Sequence, residues 1–279
     1  MSNKEYSDVV STTREYYNSE DADNFYYNIW GGEDIHVGLY KDDDEPIFDA
    51  SRRTVERIAS KIENLTKDTY IIDIGAGYGG AARYLAKTYG CNVVALNLSE
   101  VENDRDRQMN KEQGLDDKIE VIDGSFDDIP YDDDTFDVVW CQDSILHSDN
   151  REKVLEETAR ILKKGGDFVF TDPMQTDDCP DGVLQPILDR IHLESLASPG
   201  FYREYSPKYG LKEVEFEEHA EQLPRHYGRV KKELEANEDR LKGVVSDEYI
   251  SNMKKGLQHW VNGGNNGYLT WGVFHFKKQ

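Results

Sequence analysis

Residues 69–80 read Thr-Tyr-Ile-Ile-Asp-Ile-Gly-Ala-Gly-Tyr-Gly-Gly, and they constrain the fold more than any other stretch of the chain. A short apolar, β-rich run ends at Asp73, gives way to a glycine loop, and is followed by helical spacing from Ala81. Glycine lets the backbone turn tightly and lets a ligand approach without a Cβ in the way. Strand, glycine turn and helix in that order open a β/α unit, and such folds bind ligands at the carboxyl ends of their strands. The loop satisfies two spacings at once. Gly75, Gly77 and Gly80 fit G-x-G-x-x-G, the spacing of dinucleotide-binding loops, while Asp73, Gly75, Gly77 and Gly79 fit D-x-G-x-G-x-G. A plain strand-to-helix turn can carry either spacing, so the elements downstream of the loop decide.

Those elements alternate strand and helix. Residues 91–97 form a second buried strand ending at Asn97, and a third strand at 119–123 leads into Gly124-Ser-Phe-Asp-Asp-Ile-Pro130. A fourth, at 136–140, leads into Cys141-Gln-Asp-Ser-Ile-Leu-His147. A helix at 151–162 then closes on Lys163-Lys-Gly-Gly166 and the strand 167–170. This rhythm predicts a parallel, doubly wound α/β sheet over 69–172. Motif after motif, residues 69–174 resemble the class I S-adenosylmethionine (SAM)-dependent methyltransferases, whose motif I is similar to the D-x-G-x-G-x-G loop. The resemblance implies a Rossmann-like seven-stranded sheet with helices on both faces and SAM as methyl donor. Residues 211–219 alternate strictly and supply a sixth strand. The alternating stretch 268–276 supplies the terminal antiparallel strand that the resemblance leads one to expect.

The flanks read differently. Residues 8–30 carry helical spacing and the aromatics Tyr16, Tyr17, Phe25, Tyr26, Tyr27 and Trp30, before Gly31-Gly32 breaks the helix. A further helix is predicted at 48–64, and polar helices at 224–260. Between them, residues 180–210 interrupt the rhythm with Pro180, Pro186, Pro199 and Pro207. This stretch holds an amphipathic helix at 183–196 and the turn Ser198-Pro-Gly-Phe-Tyr-Arg203, and it reads as a lid inserted after the fifth strand. With no internal repeat and no Pro- or Ser-rich linker, one domain over 1–279 is expected. It comprises an N-terminal helical segment covering the site (1–64), the SAM-binding core (69–174), the lid (175–210), and the last strands and C-terminal helices (211–279).

Charge narrows the partners. Asp and Glu number 56 against 33 Lys and Arg, a formal net charge of −23. Such a field repels phosphate backbones and anionic lipid, which argues against nucleic-acid or membrane-surface partners. A dense acidic surface also suits a salt-rich cytoplasm, where salt screens self-repulsion. Aromatic residues make up 11% of the chain, and the apolar strands provide a core, so high charge here does not mean disorder. Cys91, Cys141 and Cys179 have no metal-ligand spacing and make no disulfide framework, so no metal is expected. No run approaches the roughly 20 apolar residues of a membrane span. The opening Met-Ser-Asn-Lys-Glu-Tyr lacks a signal-peptide core, and a cytoplasmic monomer or homodimer is expected.

Residues 25–40 join aromatics, glycines and His36 in a stretch that reads as neither helix nor strand. Together with 97–103, 124–130, 142–148 and 198–203, they resemble the sarcosine/dimethylglycine N-methyltransferases, which make the osmolyte glycine betaine. The resemblance implies a small amino-acid amine as acceptor, and it makes Tyr26 and Trp30, Asp73, Gly75 and Gly77, Asn97 with Leu98, Ser125 with Phe126, and Gln142 candidate cofactor-binding residues. Asp73 would orient the loop and the methionine amino group, or serve only as a charge partner at a helix N-terminus. Asn97 stands where most such enzymes place an acid on the ribose, which weakens that clamp. Phe126 would lie against adenine or in the core. His147 is the candidate general base or substrate ligand, or simply a satisfied histidine at a helix start. A substrate carboxylate needs an anchor, and Arg203 with Tyr202 on the lid is the choice, ahead of Arg53 and Arg225. The aromatics of 16–30 would cage a quaternary ammonium or pack a core. Alternative acceptors are those of phosphoethanolamine-type and small-molecule C-methyltransferases. The former need basic residues that 180–210 supplies sparingly.

The charge generates a direct expectation. Melting temperature should rise between low and molar KCl as the −23 charge is screened, which differential scanning fluorimetry over a salt series will read. A flat or falling series would remove the argument for a high-salt interior.

Overall fold

The computed structural model describes residues 7–30 and 32–279, so the opening hexapeptide and Gly31 lie outside the described residues. The chain runs α1 (Asp8–Tyr17), α2 (Glu20–Phe25), a π-helical turn (Tyr26–Trp30), α3 (Ile47–Ala59), β1 (Tyr70–Ile74) and α4 (Gly80–Tyr89). It continues through β2 (Asn92–Asn97), α5 (Glu100–Glu112), β3 (Ile119–Asp123), β4 (Phe136–Gln142), α6 (Arg151–Ile161) and β5 (Leu162–Thr171). Then come β6 (Met174–Gln175), α7 (Gln185–Ile191), α8 (Pro199–Tyr205) and β7 (Leu211–Glu218). The chain closes with α9 (Gln222–Leu241), α10 (Asp247–Asn265), β8 (Leu269–Thr270) and β9 (Gly272–Lys278).

Seven strands form one sheet in the order β3-β2-β1-β4-β5-β9-β7. The first five are parallel, and β9 inserts antiparallel between β5 and β7. The central strands read as continuous apolar runs because helices cover both faces. Ile72, Val94, Val139 and Phe168 pack one face, and Ile71, Val93, Val138 and Val169 the other. A two-stranded ribbon of β6 and β8 has no counterpart in the sequence reading.

A third apolar cluster lies apart from the sheet faces. It joins Phe25, Ile29 and Trp30 to Leu184, Ile187 and Leu188 and to Leu257 and Trp260. The N-terminal segment, the stretch after β5 and the C-terminal helix pair thus share one core above the carboxyl ends of the strands. Among the described residues, no helix is long and apolar enough to cross a membrane.

Several boundaries differ from the sequence reading: the helix at 48–64 ends at Ala59, 163–166 lies within β5, 268–276 divides into β8 and β9, and two further differences have a local reason. The helix expected at 183–196 spans only Gln185–Ile191, since Pro186 sits in its first turn and His192 adopts left-handed backbone (φ 56°) that ends it. The turn expected at 198–203 is the start of α8, with Ser198 accepting from the Phe201 N–H and Pro199 in the first turn. Phe25 and Tyr26–Trp30 are helical, within α2 and the π-helical turn, as the spacing of 8–30 predicts, so the stretch read as neither helix nor strand at 25–40 begins beyond them.

Candidate active site

Two adjoining cavities open at the carboxyl edge of the sheet, and Thr13, Tyr17, Ile35, His36, Asp143 and His147 line both. The first is a cleft enclosing about 960 Å³ of space, part of it open to solvent. Its floor is the glycine loop. Gly75 has φ 80°, donates its N–H to the Leu96 carbonyl at 2.7 Å, and accepts at its own carbonyl from Ser144 Oγ at 3.0 Å. A Cβ there would stand 2.4 Å from Ser144, so the loop is drawn down between β2 and β4 by contacts that only glycine permits. Gly77 is looser: a Cβ would meet Ile35 at 3.1 Å.

Carboxylates crowd this cavity. Burial pushes Asp73 well above the usual carboxylate range, and repulsion from Asp106 and Asp34 adds to it. Asn97 donates to Glu102 at 2.9 Å, and burial lifts Glu102 to about 7 against that hydrogen bond. A cationic ligand group beside Asp73, and hydroxyl groups beside Glu102 and Asn97, would each meet a matching acceptor. Ser125 and Phe126 line the same cavity, with Leu98 and Gln142. Phe126 also packs against the sheet core. The donor and acceptor set therefore fits a ligand with an amino acid end, a ribose and a base.

The N-terminal segment closes over it. Arg14 of α1 and Asn18, which caps its C-terminus, hold Glu100 at the start of α5, and Asn18 accepts from Ser99 at 2.8 Å. Beneath the loop, Arg83 is 1% exposed and donates to Asp106 (2.7 Å), Glu33 (2.9 Å), Asn110 (3.0 Å) and the Tyr78 carbonyl (2.5 Å).

The second cavity is walled by rings. Tyr16, Tyr17, Tyr26, Trp30, Tyr227 and Trp260 line it. Tyr227 stacks on Trp260 with centroids 4.9 Å apart, and Tyr26 leans on Trp30 at 5.1 Å. Asp143 sits where the cavities meet. It adopts φ 51°, uncommon for a residue with a side chain, and is held by the Val37 N–H (2.7 Å) and the Trp271 indole N–H (2.8 Å). Burial raises it above its ordinary range, opposed by the nearby His36. His147 hydrogen-bonds the Tyr17 hydroxyl at 3.0 Å, and burial lowers it to about 4 with help from Arg151.

Several sequence-predicted site residues stand elsewhere. Tyr26 and Trp30 line the ring-walled cavity rather than the glycine-loop cavity, because the π-helical turn carries them across it. Tyr202 is buried against Phe170, and its hydroxyl donates to Asp172 at 2.7 Å. Asp172 in turn accepts from the Leu146 N–H, so Tyr202 braces the His147 turn without lining either cavity. Arg203, one residue on in the same helix, faces outward. It pairs with Glu213 at 3.0 Å and lies over Phe216. Arg53 and Arg225 are tied to Glu45 and Asp43. His147, Asp73, Gly75, Gly77, Asn97, Leu98, Ser125, Phe126 and Gln142 come together around the first cavity.

The sequence reading missed Glu102 as a lining residue, for a local reason. Ser99 caps α5 and Glu102 stands three residues later, which is the spacing of a capping box. The carboxylate instead meets Asn97 and the cavity. Asn97 departs from the usual acid at the strand end, and Glu102 brings a carboxylate to the same place.

Comparison with known proteins agrees in kind. Residues 72–170 match the methyltransferase domain family. The chain is 66% identical to a sarcosine/dimethylglycine N-methyltransferase of Halorhodospira halochloris, over 97% of each chain. It is 57% identical to one of Aphanothece halophytica, over 97% of this chain and 98% of that one. The solved structure of a candidate sarcosine dimethylglycine methyltransferase from Galdieria sulphuraria superposes with a TM-score of 0.90 at 43% identity, covering 95% of this chain and 99% of that one.

The two loop glycines should not be equal. Gly75→Ala should weaken SAM binding roughly tenfold or more, since it adds both left-handed strain and a clash, whereas Gly77→Ala should cost less. Isothermal calorimetry on the two variants reads the order, and wild-type affinity in Gly75→Ala would refute it.

Proposed function

We propose that this chain, which belongs to the sarcosine/dimethylglycine N-methyltransferase family, methylates the nitrogen of sarcosine and dimethylglycine and so forms glycine betaine. The observation that carries this reading is the ring-walled cavity adjoining the glycine loop, with Asp143 and His147 at the junction. SAM, when bound in the first cavity, supplies an electrophilic methyl on a sulfonium. Asp73 would hold its ammonium, and Glu102 with Asn97 would hold its ribose hydroxyls. The N-terminal segment and the stretch after β5 act as covers that keep water out. Alignment of the amine supplies most of the acceleration, because the methyl is already activated. Rings stabilise the growing quaternary ammonium by roughly 0.5–2 kcal/mol each.

His147 contributes by position more than by basicity. At about 4, its ring is neutral near pH 7, but it is also too weak a base to strip a protonated alkylamine. Instead it holds the Tyr17 hydroxyl at the cavity wall, and the amine has to arrive neutral. The acidic surface and the osmolyte product suit an enzyme of salt-loaded cytoplasm.

Labelled-SAM assays against glycine, sarcosine, dimethylglycine and phosphoethanolamine test the acceptor class; transfer to sarcosine and dimethylglycine is expected. Over roughly pH 6 to 9, kcat/KM for dimethylglycine should climb with the neutral amine fraction and show no inflection near the ordinary histidine value of about 6.5. An inflection there that vanishes in His147→Asn would restore a general base. Glu102→Gln should lower SAM affinity roughly ten- to a hundredfold by removing a charged acceptor of hydroxyls. Unchanged affinity by calorimetry would move the ribose contact elsewhere.

A further inference from the structure

We propose that Arg190 is the carboxylate anchor of the acceptor cavity, seated flat against Gly256 so that its guanidinium meets the acid end of the substrate while the amine lies toward Asp143 and His147. The inference rests on the acceptor reading above.

The first observation is the company Arg190 keeps. In a chain with 56 acidic residues, most surface arginines find carboxylates: Arg57 pairs with Glu217, Arg107 with Asp123, Arg203 with Glu213 and Arg225 with Asp43, while exposed Arg240 bonds the Asn237 amide. Arg190 is half-buried, lines the ring-walled cavity, and among the described residues has no carboxylate within 4.0 Å. Its hydrogen-bond partner is the Met253 thioether, 3.0 Å from Nη2, and sulfur is a weak acceptor. It is the one Lys or Arg among the described residues lining that cavity, and Asp143 is the one carboxylate there. A zwitterion with its ammonium and carboxylate at opposite ends matches that polarity.

The second observation is the seat. Gly256 lies inside α10, where glycine is disfavoured by its backbone entropy. A Cβ on it would stand 2.0 Å from Arg190 Nη1, 2.4 Å from Cζ and 2.5 Å from Nε. All three contacts are to the guanidinium, so the helix is pared to its backbone just where that plane rests. The aliphatic stem then needs no exposed path, and the fork keeps fixed geometry, which favours a planar carboxylate over a point anion. Trp30 provides a further donor: its indole N–H is buried, has no hydrogen-bond partner among the described residues, and belongs to a residue of the same cavity wall.

The test compares dimethylglycine with N,N-dimethylglycinamide, which keeps the amine and lacks the charge, on the full chain and its variants. Arg190→Met should raise the dimethylglycine KM roughly ten- to a hundredfold, leave SAM affinity within about threefold, and erase the preference for the acid over the amide. Gly256→Ala, which replaces no cavity-lining residue, should raise the same KM in the same direction by displacing the Arg190 guanidinium. It also decides the matter if Arg190→Met does not fold. Arg203→Ala serves as the surface control and should leave KM unchanged. A dimethylglycine KM within about threefold of the unaltered chain's in every variant that folds, with the acid-over-amide preference intact, would overturn the anchor alone. If the unaltered chain methylates neither sarcosine nor dimethylglycine, the acceptor reading falls, and the anchor with it.

Discussion

The buried guanidinium of Arg83 is the interaction on which the rest of the site depends. A single side chain ties the glycine loop, through the Tyr78 carbonyl, to α5, through Asp106 and Asn110, and to the N-terminal segment, through Glu33. Those three pieces are distant in sequence, and each forms part of the first cavity's wall. A charge taken out of water is tolerated only when its donors are met. Burial still lifts Asp106 to about 6 against the pull of Arg83, which shows how dry the spot is. Losing one partner of such a pair typically costs about 3–5 kcal/mol, because the other charge is left buried and uncompensated. The loop's shape therefore depends on an ion network beneath it as well as on its glycines.

The two cavities divide the chemistry by origin. The sheet's carboxyl edge provides acceptors fixed on rigid elements: Asp73 at the end of β1, Asn97 at the end of β2 with Glu102 just beyond, and Asp143 after β4. Their raised proton affinities come from burial, and a cationic or hydroxyl-bearing ligand offsets that burial where water cannot. The second cavity draws its rings from α1, the π-helical turn, α9 and α10, none of which belongs to the alternating core. Strained backbone at Asp143 lies where the two meet, pinned by Val37 from the N-terminal side and Trp271 from the last strand. Each half of the molecule thus holds the residue at the junction.

How much the sequence makes legible depends on the range of the forces involved. The sheet was legible because strands buried on both faces must be continuously apolar, and because a glycine loop between strand and helix admits few geometries. The first cavity was legible too, since its residues sit at fixed offsets from strand ends. The second was not. Tyr26 and Trp30 are carried to it by a π-helical turn, a form that leaves no distinct periodicity. Glu102 was hidden by its capping-box spacing. Arg203 misled because a Ser-Pro-Gly turn and a helix N-terminus begin alike, and only packing of Tyr202 on Phe170 decides which way its neighbour points. Arg190 depends on Gly256, 66 positions away, and no local pattern signals such a pair.

The same acidic composition that shapes the surface also dictates where an anion can be bound. Most arginines on the outside of this chain meet a carboxylate before they meet a substrate, as Arg203 and Arg225 do. Such exposed pairs contribute little to stability, but they occupy the cation. A guanidinium can remain available only where no acid comes within reach, and the tyrosines and tryptophans of this wall surround Arg190 while Asp143, the one carboxylate lining the cavity, stays beyond 4.0 Å of it. Rings attract the quaternary ammonium and exclude water from the carboxylate contact, which strengthens it. An acidic exterior and an aromatic interior are in this sense one solution. The first draws most exposed cations into surface pairs, and the second leaves Arg190 with no carboxylate within 4.0 Å among the described residues.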